Sequence, residues 1–572
     1  MRIPALACAL IVLGLSSPRA QDLPPAVGQA LQAAGIPASA VSIVVQEAGS
    51  PRPALSLNPE TVRNPASVMK LVTTYAALEL LGPAYRWTTT AHLLGPLRDG
   101  ILEGALVLRG SGDPKLDLEA FWMLLRGLRT RGLREIRGDL VIDRSLFERA
   151  SGDPAAFDGE AHRPYNVLPD ALLVNYKSLR FVFVPDARAG AVRVAADPRP
   201  PALEVVNVLK LAEGPCPEGR AFRDLLQPTF EPAKQRAIFA GRYPLSCGER
   251  DLNVALLEPN DQVGGVMRQL WAELGGVWSG GVREGPAPPG ATPFHALESA
   301  PLAVIVRDIN KFSNNVMARQ LYLTLAAESA GAPARGENAQ RAVRQWLKEK
   351  GIAAPELVLE NGSGLSRIER ASAATLAALL QAAWKSNVMP EFLSSLPIVA
   401  VDGTMRRRLR GDGIAGNAHI KSGLLSDARA MAGYTLDRSG RRQVVVMLVN
   451  HPNAHQAQPA LDALLAWVYR KNHDALRRRR SLRSNARLLK RFRSTTTDCG
   501  ADNGSAARPD RWKTSGRAQS PSDFQSSSTL RLTAASIAIG LPQPRVVSPG
   551  HLWVASMPIL EPRPATGLAK SR

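Results

Sequence analysis

The chain has 572 residues, with 71 Lys+Arg against 50 Asp+Glu and four cysteines. That length allows three or four domains with several buried cores. A hydrophobic fraction of 45% and a charged fraction of 21% exclude a wholly disordered or fibrous chain. The net charge of +21 raises a nucleic-acid or membrane-surface reading, which its location must test.

The N-terminus opens with Met1-Arg2, an apolar run from Ile3 to Leu15, and Ser16-Ser17-Pro18-Arg19-Ala20. A charged start, a short apolar core and small residues near Ala20 predict a secretory signal over residues 1–20. Cys8 would leave with it. Export puts the mature chain in an oxidising compartment, where Cys216 and Cys247 can pair. Such a bridge closes a loop of about 30 residues and stabilises by ~3–4 kcal/mol in the chain-entropy picture. Two buried free thiols are the other reading. Cys499 lies in the tail without a partner.

Val41–Val45 and Ala54–Leu57 read as two short strands. Val68, Met69, Leu71, Val72, Tyr75, Leu78 and Leu81 recur at helical spacing from Pro65, and Gly82-Pro83 ends that helix. From Trp87 to about Ala300 the character changes to Gly- and Asp-punctuated strand pairs, as in 102–110 and 136–142, around one clear helix at 116–128. Helices return from Val304, at 314–327, 339–350 and 371–385. Residues 418–424, 429–436 and 442–450 alternate as an antiparallel set, with Arg438-Ser439-Gly440 as a turn. A last helix is expected at 459–469. Helical and sheet segments at both ends therefore bracket a mainly β middle. This layout predicts an α+β domain formed from 21–86 and 301–472, interrupted by an insertion at 87–300.

Residues 473–572 form a separate case. The run Arg477–Arg480 and its Ser/Thr/Pro-rich sequel lack periodicity and read as a disordered basic tail. Residues 471–572 carry 19 Lys+Arg against 6 Asp+Glu, which leaves 52 against 44 for the rest. More than half of the excess charge is thus in the tail. An anion-binding role for this run, on a membrane or a polymer, and a merely solvated extension are both open.

No G-x-S-x-G, H-E-x-x-H, C-x-x-C or Walker motif occurs, and the eight His have no metal-site spacing. What does occur is Ser67-Val68-Met69-Lys70. On a helix, residues three apart share a face, so Lys70 can reach the Ser67 hydroxyl. A serine nucleophile needs a base, and a lysine serves once burial or a nearby cation lowers its pKa. Ser67 is expected in the first helical turn, where free N–H groups favour negative charge. Ser313-Asn314-Asn315 is expected to begin the helix at 314–327. Lys421-Ser422-Gly423 falls on a predicted strand, with Gly423 allowing close backbone approach to a ligand and Lys421 supplying the second cation.

Three motifs in this order, each on the required kind of element, resemble the S-x-x-K acyl-serine enzymes: the penicillin-binding proteins and serine β-lactamases. The 246 residues between Ser67 and Ser313 leave room for a large insertion. That spacing is similar to the D-alanyl-D-alanine carboxypeptidase/endopeptidase family of low-molecular-mass penicillin-binding proteins, peptidase family S13. Asn361–Arg367 and Ser111–Pro114 also look like that family. The resemblance spans roughly residues 24–470, and Ser422 stands where the family usually has Thr. It implies a β-lactamase/transpeptidase-like fold carrying a large mainly β insertion, and a periplasmic hydrolase of peptidoglycan stem peptides and crosslinks that β-lactams acylate. By resemblance Ser67 is the nucleophile and Lys70 the general base. Ser313 relays a proton and Asn315 holds a substrate amide. Lys421 and Ser422 bind the substrate carboxylate, beside Gly423. The N–H groups of Ser67 and Leu424 form the oxyanion hole. Arg367 is a candidate partner for a substrate carboxylate, and Glu160 or Asp158 for a diamino-acid amine. No metal or organic cofactor and no nucleic-acid partner is implied. A β-lactamase or esterase on the same scaffold, and a binding protein acting through the tail, are the rival readings.

Overall fold

The computed structural model describes residues 23–411 and 413–470. The predicted signal and the basic tail lie outside the described residues. A five-stranded antiparallel sheet runs in the order Pro53–Leu57, Val41–Glu47, Arg442–Asn450, Ala428–Leu436 and Ala418–Leu424. Its first two strands come from the start of the chain and the other three from the end. They are joined by a register that sets Val41 opposite Val449 and Glu47 opposite Gln443.

The two-residue period of a strand explains the layering. Along the central strand, Val444, Val446 and Leu448 enter one core, while Val445, Met447 and Val449 enter the other. The first core holds the helices Lys70–Leu81, Leu302–Phe312, Asn315–Ala330, Gly336–Glu349 and Ala373–Lys385. The second is covered by Pro25–Ala33 and by a helix at 458–470. A strand buried on both faces reads as a continuous apolar run. Each Val or Leu so buried contributes roughly 1.5–3 kcal/mol.

The middle of the chain departs from expectation in two ways. The runs 102–110 and 136–142 are not hairpins. Each divides between two sheets: Ile101–Leu102 and Glu135–Ile136 pair in one, Ala105–Arg109 and Leu140–Asp143 in another. The breaks fall at Gly104 and Gly138, where the Gly138 N–H donates to the Gly104 carbonyl. Nor does the helix Leu118–Thr130 stand alone, since Gly219–Leu225 and Pro259–Glu273 are helical too. Gly264-Gly265 weakens the helical signal of the latter. Its Val263, Val266, Met267, Leu270 and Trp271 nevertheless pack into a core, and that packing decides. A second core in this region is aromatic, with Phe181 and Phe183 packed on Phe239. Cys216 and Cys247 are joined there as a disulfide, with Cα atoms 4.8 Å apart.

Polar anchors tie the 87–300 segment to the helices Leu302–Phe312 and Asn315–Ala330. Gln320 accepts from the Asp170 N–H at 2.9 Å and donates to the Asp170 carbonyl at 2.8 Å. Arg319, buried in the same helix, donates to the Val167 carbonyl at 3.0 Å. Lys115 pairs with Asp308 at 2.7 Å. These bonds hold residues 157–167 beside the mouth of the site described next.

Candidate active site

Ser67 lies in a 3-10 turn, Ala66–Met69, that leads into the helix Lys70–Leu81. The expectation of a first α-helical turn is corrected here. Ala66 enters the turn at φ +47°, and the tighter winding follows. The consequence favours the chemistry: at three residues per turn, positions i and i+3 eclipse. Lys70 Nζ accordingly lies 3.0 Å from Ser67 Oγ.

Lys70 is fully buried. Besides Ser67, its Nζ meets Asn315 Oδ1 at 2.5 Å and the Ser363 carbonyl at 2.5 Å. Both of these oxygens can only accept. A neutral Lys70 has two N–H groups and one lone pair. With both N–H groups spent on Asn315 and Ser363, the lone pair faces the Ser67 hydroxyl. Burial is the largest influence on Lys70 and holds its pKa well below the ordinary lysine value. Lys421 and Arg319 push the same way, and Glu369 opposes them.

Ser313 does not begin a helix. It closes Leu302–Phe312 in the left-handed conformation at φ +57°. Asn314 then caps the next helix by accepting from the Met317 N–H, which makes Asn315 its first residue. The sharp corner sends Ser313 and Asn315 to two different lysines. Lys421 Nζ, also fully buried, donates to Ser313 Oγ at 2.8 Å and to the Ser422 carbonyl at 2.8 Å. Burial pushes Lys421 down to about 7. Asn315 Nδ2 is buried without a hydrogen-bond partner among the described residues, so it keeps a donor unspent.

Lys421, Ser422, Gly423 and Leu424 sit on the edge strand of the sheet. The Ile420 N–H points off that edge, to the Pro397 carbonyl, and by alternation the Leu424 N–H does the same. Ser422 Oγ donates to Thr404 Oγ1 at 2.9 Å. The close approach at Gly423 is to the chain itself: a Cβ there would lie 2.8 Å from the Pro65 carbonyl oxygen and 3.1 Å from the Ser67 nitrogen. Gly364 packs on the other side of the same turn. It has φ +78°, and a Cβ there would fall 1.9 Å from the Ala66 carbonyl oxygen. The nucleophile turn is thus held between two backbones.

Glu369 organises the second of these backbones. It is fully buried and accepts four backbone N–H groups. Those of Glu360, Asn361 and Gly362 reach Oε1, and that of Gly364 reaches Oε2. This cradle orients the Ser363 carbonyl toward Lys70. Motif spacing does not reveal Glu369, Thr404 or Arg319: Glu369 acts on backbone N–H groups five to nine residues away, which no side-chain pattern marks, and the other two act through contacts more distant in sequence.

The remaining candidates line the rim. Arg367 is half exposed, stacks 4.3 Å over Phe157, and pairs with Asp427 at 3.6 Å. It also donates to the Phe157 carbonyl and to Ser426 Oγ. Asp158 accepts from the Tyr165 hydroxyl and from Asn166 Nδ2, both at 2.8 Å. Glu160 pairs with Arg223 at 3.1 Å. Phe157 and Tyr165 pack on a small apolar cluster formed by Ala66, Leu365, Leu425 and Ala428.

Comparison with known proteins gives the chain relatives in sequence and in fold. The chain is 28% identical over 414 residues to a D-alanyl-D-alanine carboxypeptidase of Actinomadura sp. (strain R39), covering 70% of this chain and 76% of that one. It is 24% identical over 397 residues to the D-alanyl-D-alanine carboxypeptidase DacB of Haemophilus influenzae, covering 69% and 81%. The crystal structure of penicillin binding protein 4 (dacB) from Haemophilus influenzae superposes with a TM-score of 0.62 at 22% identity, over 74% of this chain and 93% of that one. The transpeptidase-like fold is therefore shared. The family model described as D-Ala-D-Ala carboxypeptidase 3 (S13) matches residues 24–470, and the chain belongs to that family of peptidases.

Proposed function

We propose that the chain is a serine-type D-Ala-D-Ala carboxypeptidase and DD-endopeptidase that works through an acyl-enzyme on Ser67. The observation that carries this reading is the surrounding of Lys70. Its Nζ lies 3.0 Å from Ser67 Oγ and meets two acceptor-only oxygens, so that in the neutral amine both N–H groups are taken and the lone pair is left for Ser67.

Ser67 Oγ attacks the carbonyl of the penultimate D-Ala as its proton passes to Lys70 Nζ. The oxyanion forms against the N–H groups of Ser67 and Leu424. Collapse breaks the C–N bond, and the leaving amine takes a proton through Ser313, which Lys421 holds by a 2.8 Å hydrogen bond. The acyl-serine ester remains until water hydrolyses it. A terminal D-Ala and a crosslinking diamino acid both leave as amines, so one site serves both cuts. A β-lactam acylates Ser67 by the same attack, and its ring-opened amine stays attached. Asn315 Nδ2 holds the substrate amide. Lys421 and Ser422 receive the substrate carboxylate, with Arg367 further out on the rim.

We place the activity in the periplasm, where the substrate and a stable disulfide are both at home. Among the described residues no helix is long and apolar enough to cross a membrane. We assign the catalytic domain to 21–86 and 301–472 and the inserted part to 87–300, since the five-stranded sheet draws its strands from both flanks.

The test compares wild type with Ser67→Ala. Wild type should release D-Ala from a D-Ala-D-Ala peptide and take up a fluorescent penicillin covalently, and the variant should do neither. Labelling that persists in Ser67→Ala would overturn the assignment of the nucleophile.

A further inference from the structure

We propose that the Thr404 hydroxyl contacts the substrate's C-terminal carboxylate beside Ser422, and so selects for substrates with a free carboxylate. The proposal rests on the acyl-enzyme reading above. Thr404 belongs to none of the three motifs and lies 18 residues from Ser422 in sequence.

Three observations support it. Thr404 is solvent-exposed, yet its Oγ1 lies 2.9 Å from the Ser422 hydroxyl and accepts from it. Among the described residues no other partner of its hydroxyl is seen, so its own O–H is left to donate. The turn Gly403–Met405 that carries it is anchored at both ends. Asp402 ahead of it accepts from Lys311 Nζ at 2.6 Å and from the Ile398 N–H at 2.7 Å. Met405 is buried in the core, and its carbonyl accepts from the Ala400 N–H. Lys311 is itself buried, two residues before Ser313. The end of one helix therefore fixes both Ser313 and the turn that presents Thr404.

The third observation is a count of donors. A carboxylate offers two oxygens and needs donors for both. Lys421 is fully buried and gives two of the three N–H groups of its charged form to Ser313 Oγ and the Ser422 carbonyl, which leaves at most one for a carboxylate. Ser422 can give only one O–H, which it now spends on Thr404. When a carboxylate arrives, the Ser422 O–H turns to one oxygen and the Thr404 O–H serves the other. Two hydroxyls on separate, rigid elements make a bidentate site. An uncharged leaving group gains nothing from the second one.

The experiment compares wild type, Thr404→Val and Thr404→Ser on two substrates. One is a peptide ending in D-Ala-D-Ala. The other is an acyl-D-Ala thioester whose leaving group has no carboxylate. Thr404→Val keeps the side-chain volume at an exposed site and removes only the hydroxyl. It should raise KM for the peptide about tenfold, the size of one hydrogen bond to a charged group, with kcat little changed. Turnover of the thioester should be unaffected, and Thr404→Ser should restore the peptide KM. Equal losses on both substrates, or no loss on the peptide, would overturn the proposal. Thr404→Val is also measured in a Ser422→Ala background. A further loss there supports direct contact, whereas none means that Thr404 acts only by orienting Ser422. If wild type neither releases D-Ala nor takes up penicillin, the acyl-enzyme reading fails and this proposal with it. If wild type does both and the Thr404 variants behave as wild type, only this proposal fails.

Discussion

Glu369→Gln tests whether a buried carboxylate outside the three motifs sets the geometry of the base. The substitution keeps shape and removes one charge and one acceptor. Glu369 takes three backbone N–H groups on Oε1, at 3.1, 3.0 and 2.8 Å, and the Gly364 N–H on Oε2 at 2.8 Å. A glutamine oxygen can keep the three. Its NH2 then faces the Gly364 N–H, donor against donor. Leaving that buried N–H unsatisfied costs about 1–3 kcal/mol, and the three retained bonds weaken because their acceptor is no longer charged. Relief of the carboxylate's own burial offsets part of this, since burial already raises the Glu369 pKa. A net loss of roughly 2–4 kcal/mol in urea unfolding is expected from these terms.

The kinetic effect should exceed the effect on stability. Once Gly364 is released, the Ser363 carbonyl is no longer aimed at Lys70 and the nucleophile turn loses one wall. A displacement on the order of 1 Å costs about 10²-fold in rate. The pH profile separates this role from general loosening. Lys70 must be neutral to act as base, so acylation rises with pH through the Lys70 pKa. Lys421 and Arg319 press that pKa down and Glu369 holds it up. Removing the carboxylate should move the rising limb to lower pH. Stopped-flow acylation by a penicillin as a function of pH measures both quantities. A wild-type rate with an unmoved limb, or a limb displaced upward, would refute this account of Glu369.

Two further predictions concern the walls and the second cation. Gly364→Ala places a methyl 1.9 Å from the Ala66 carbonyl oxygen in a left-handed residue. It should lower penicillin acylation by about 10²-fold or more while far-UV circular dichroism stays native, and acylation at the wild-type rate would show that this packing does not set the turn. Lys421 has its pKa lowered from 10.5 to about 7. Between those values the unfolded chain holds a proton that the folded chain has lost, so this group makes stability rise with pH, and its full penalty is present below about pH 7. Lys421→Met should therefore abolish acylation yet raise Tm at pH 6, with the gain shrinking toward pH 10. A gain independent of pH would contradict the burial argument.

Legibility in the sequence followed the range of the interactions. The strand Ala418–Leu424 has the bounds expected of it, and those at Ala428–Leu436 and Arg442–Asn450 agree within a residue, because short apolar, β-branched runs and a turn at 438–440 carry the signal locally. The helix Lys70–Leu81 was legible for the same reason, but the 3-10 turn before it was not. That turn depends on Ala66 being pressed between Gly364 and Gly423, which lie about 300 and 350 residues away in sequence. Ser313 was misplaced by one element, since a left-handed cap between two helices differs little in composition from a helix start. Glu369 belongs to no motif, and its place in the site rests on the four N–H groups that converge on it. The helix Pro259–Glu273 was hidden by its two glycines and is sustained by a core to which Trp271 belongs.

The two lysines give the site its direction. Lys70 and Lys421 are both fully buried, and neither has a carboxylate in hydrogen-bond contact. The nearby acid, Glu369, is already engaged by backbone N–H groups. Two charged ammonium groups enclosed together in a medium of low polarity repel strongly, so the arrangement favours giving up one proton. Burial, Lys421 and Arg319 all press the Lys70 pKa down, and Glu369 opposes them. Lys421 still binds a proton near neutrality and keeps its bond to Ser313. The proposed acyl transfer requires this pair to divide, with a neutral amine against Ser67 and a proton donor toward Ser313. The excess of Lys and Arg over the whole chain says nothing about this. Lys70 and Lys421 are two of the least exposed cations among the described residues, and the loop that Glu369 organises lies against Lys70 through the Ser363 carbonyl.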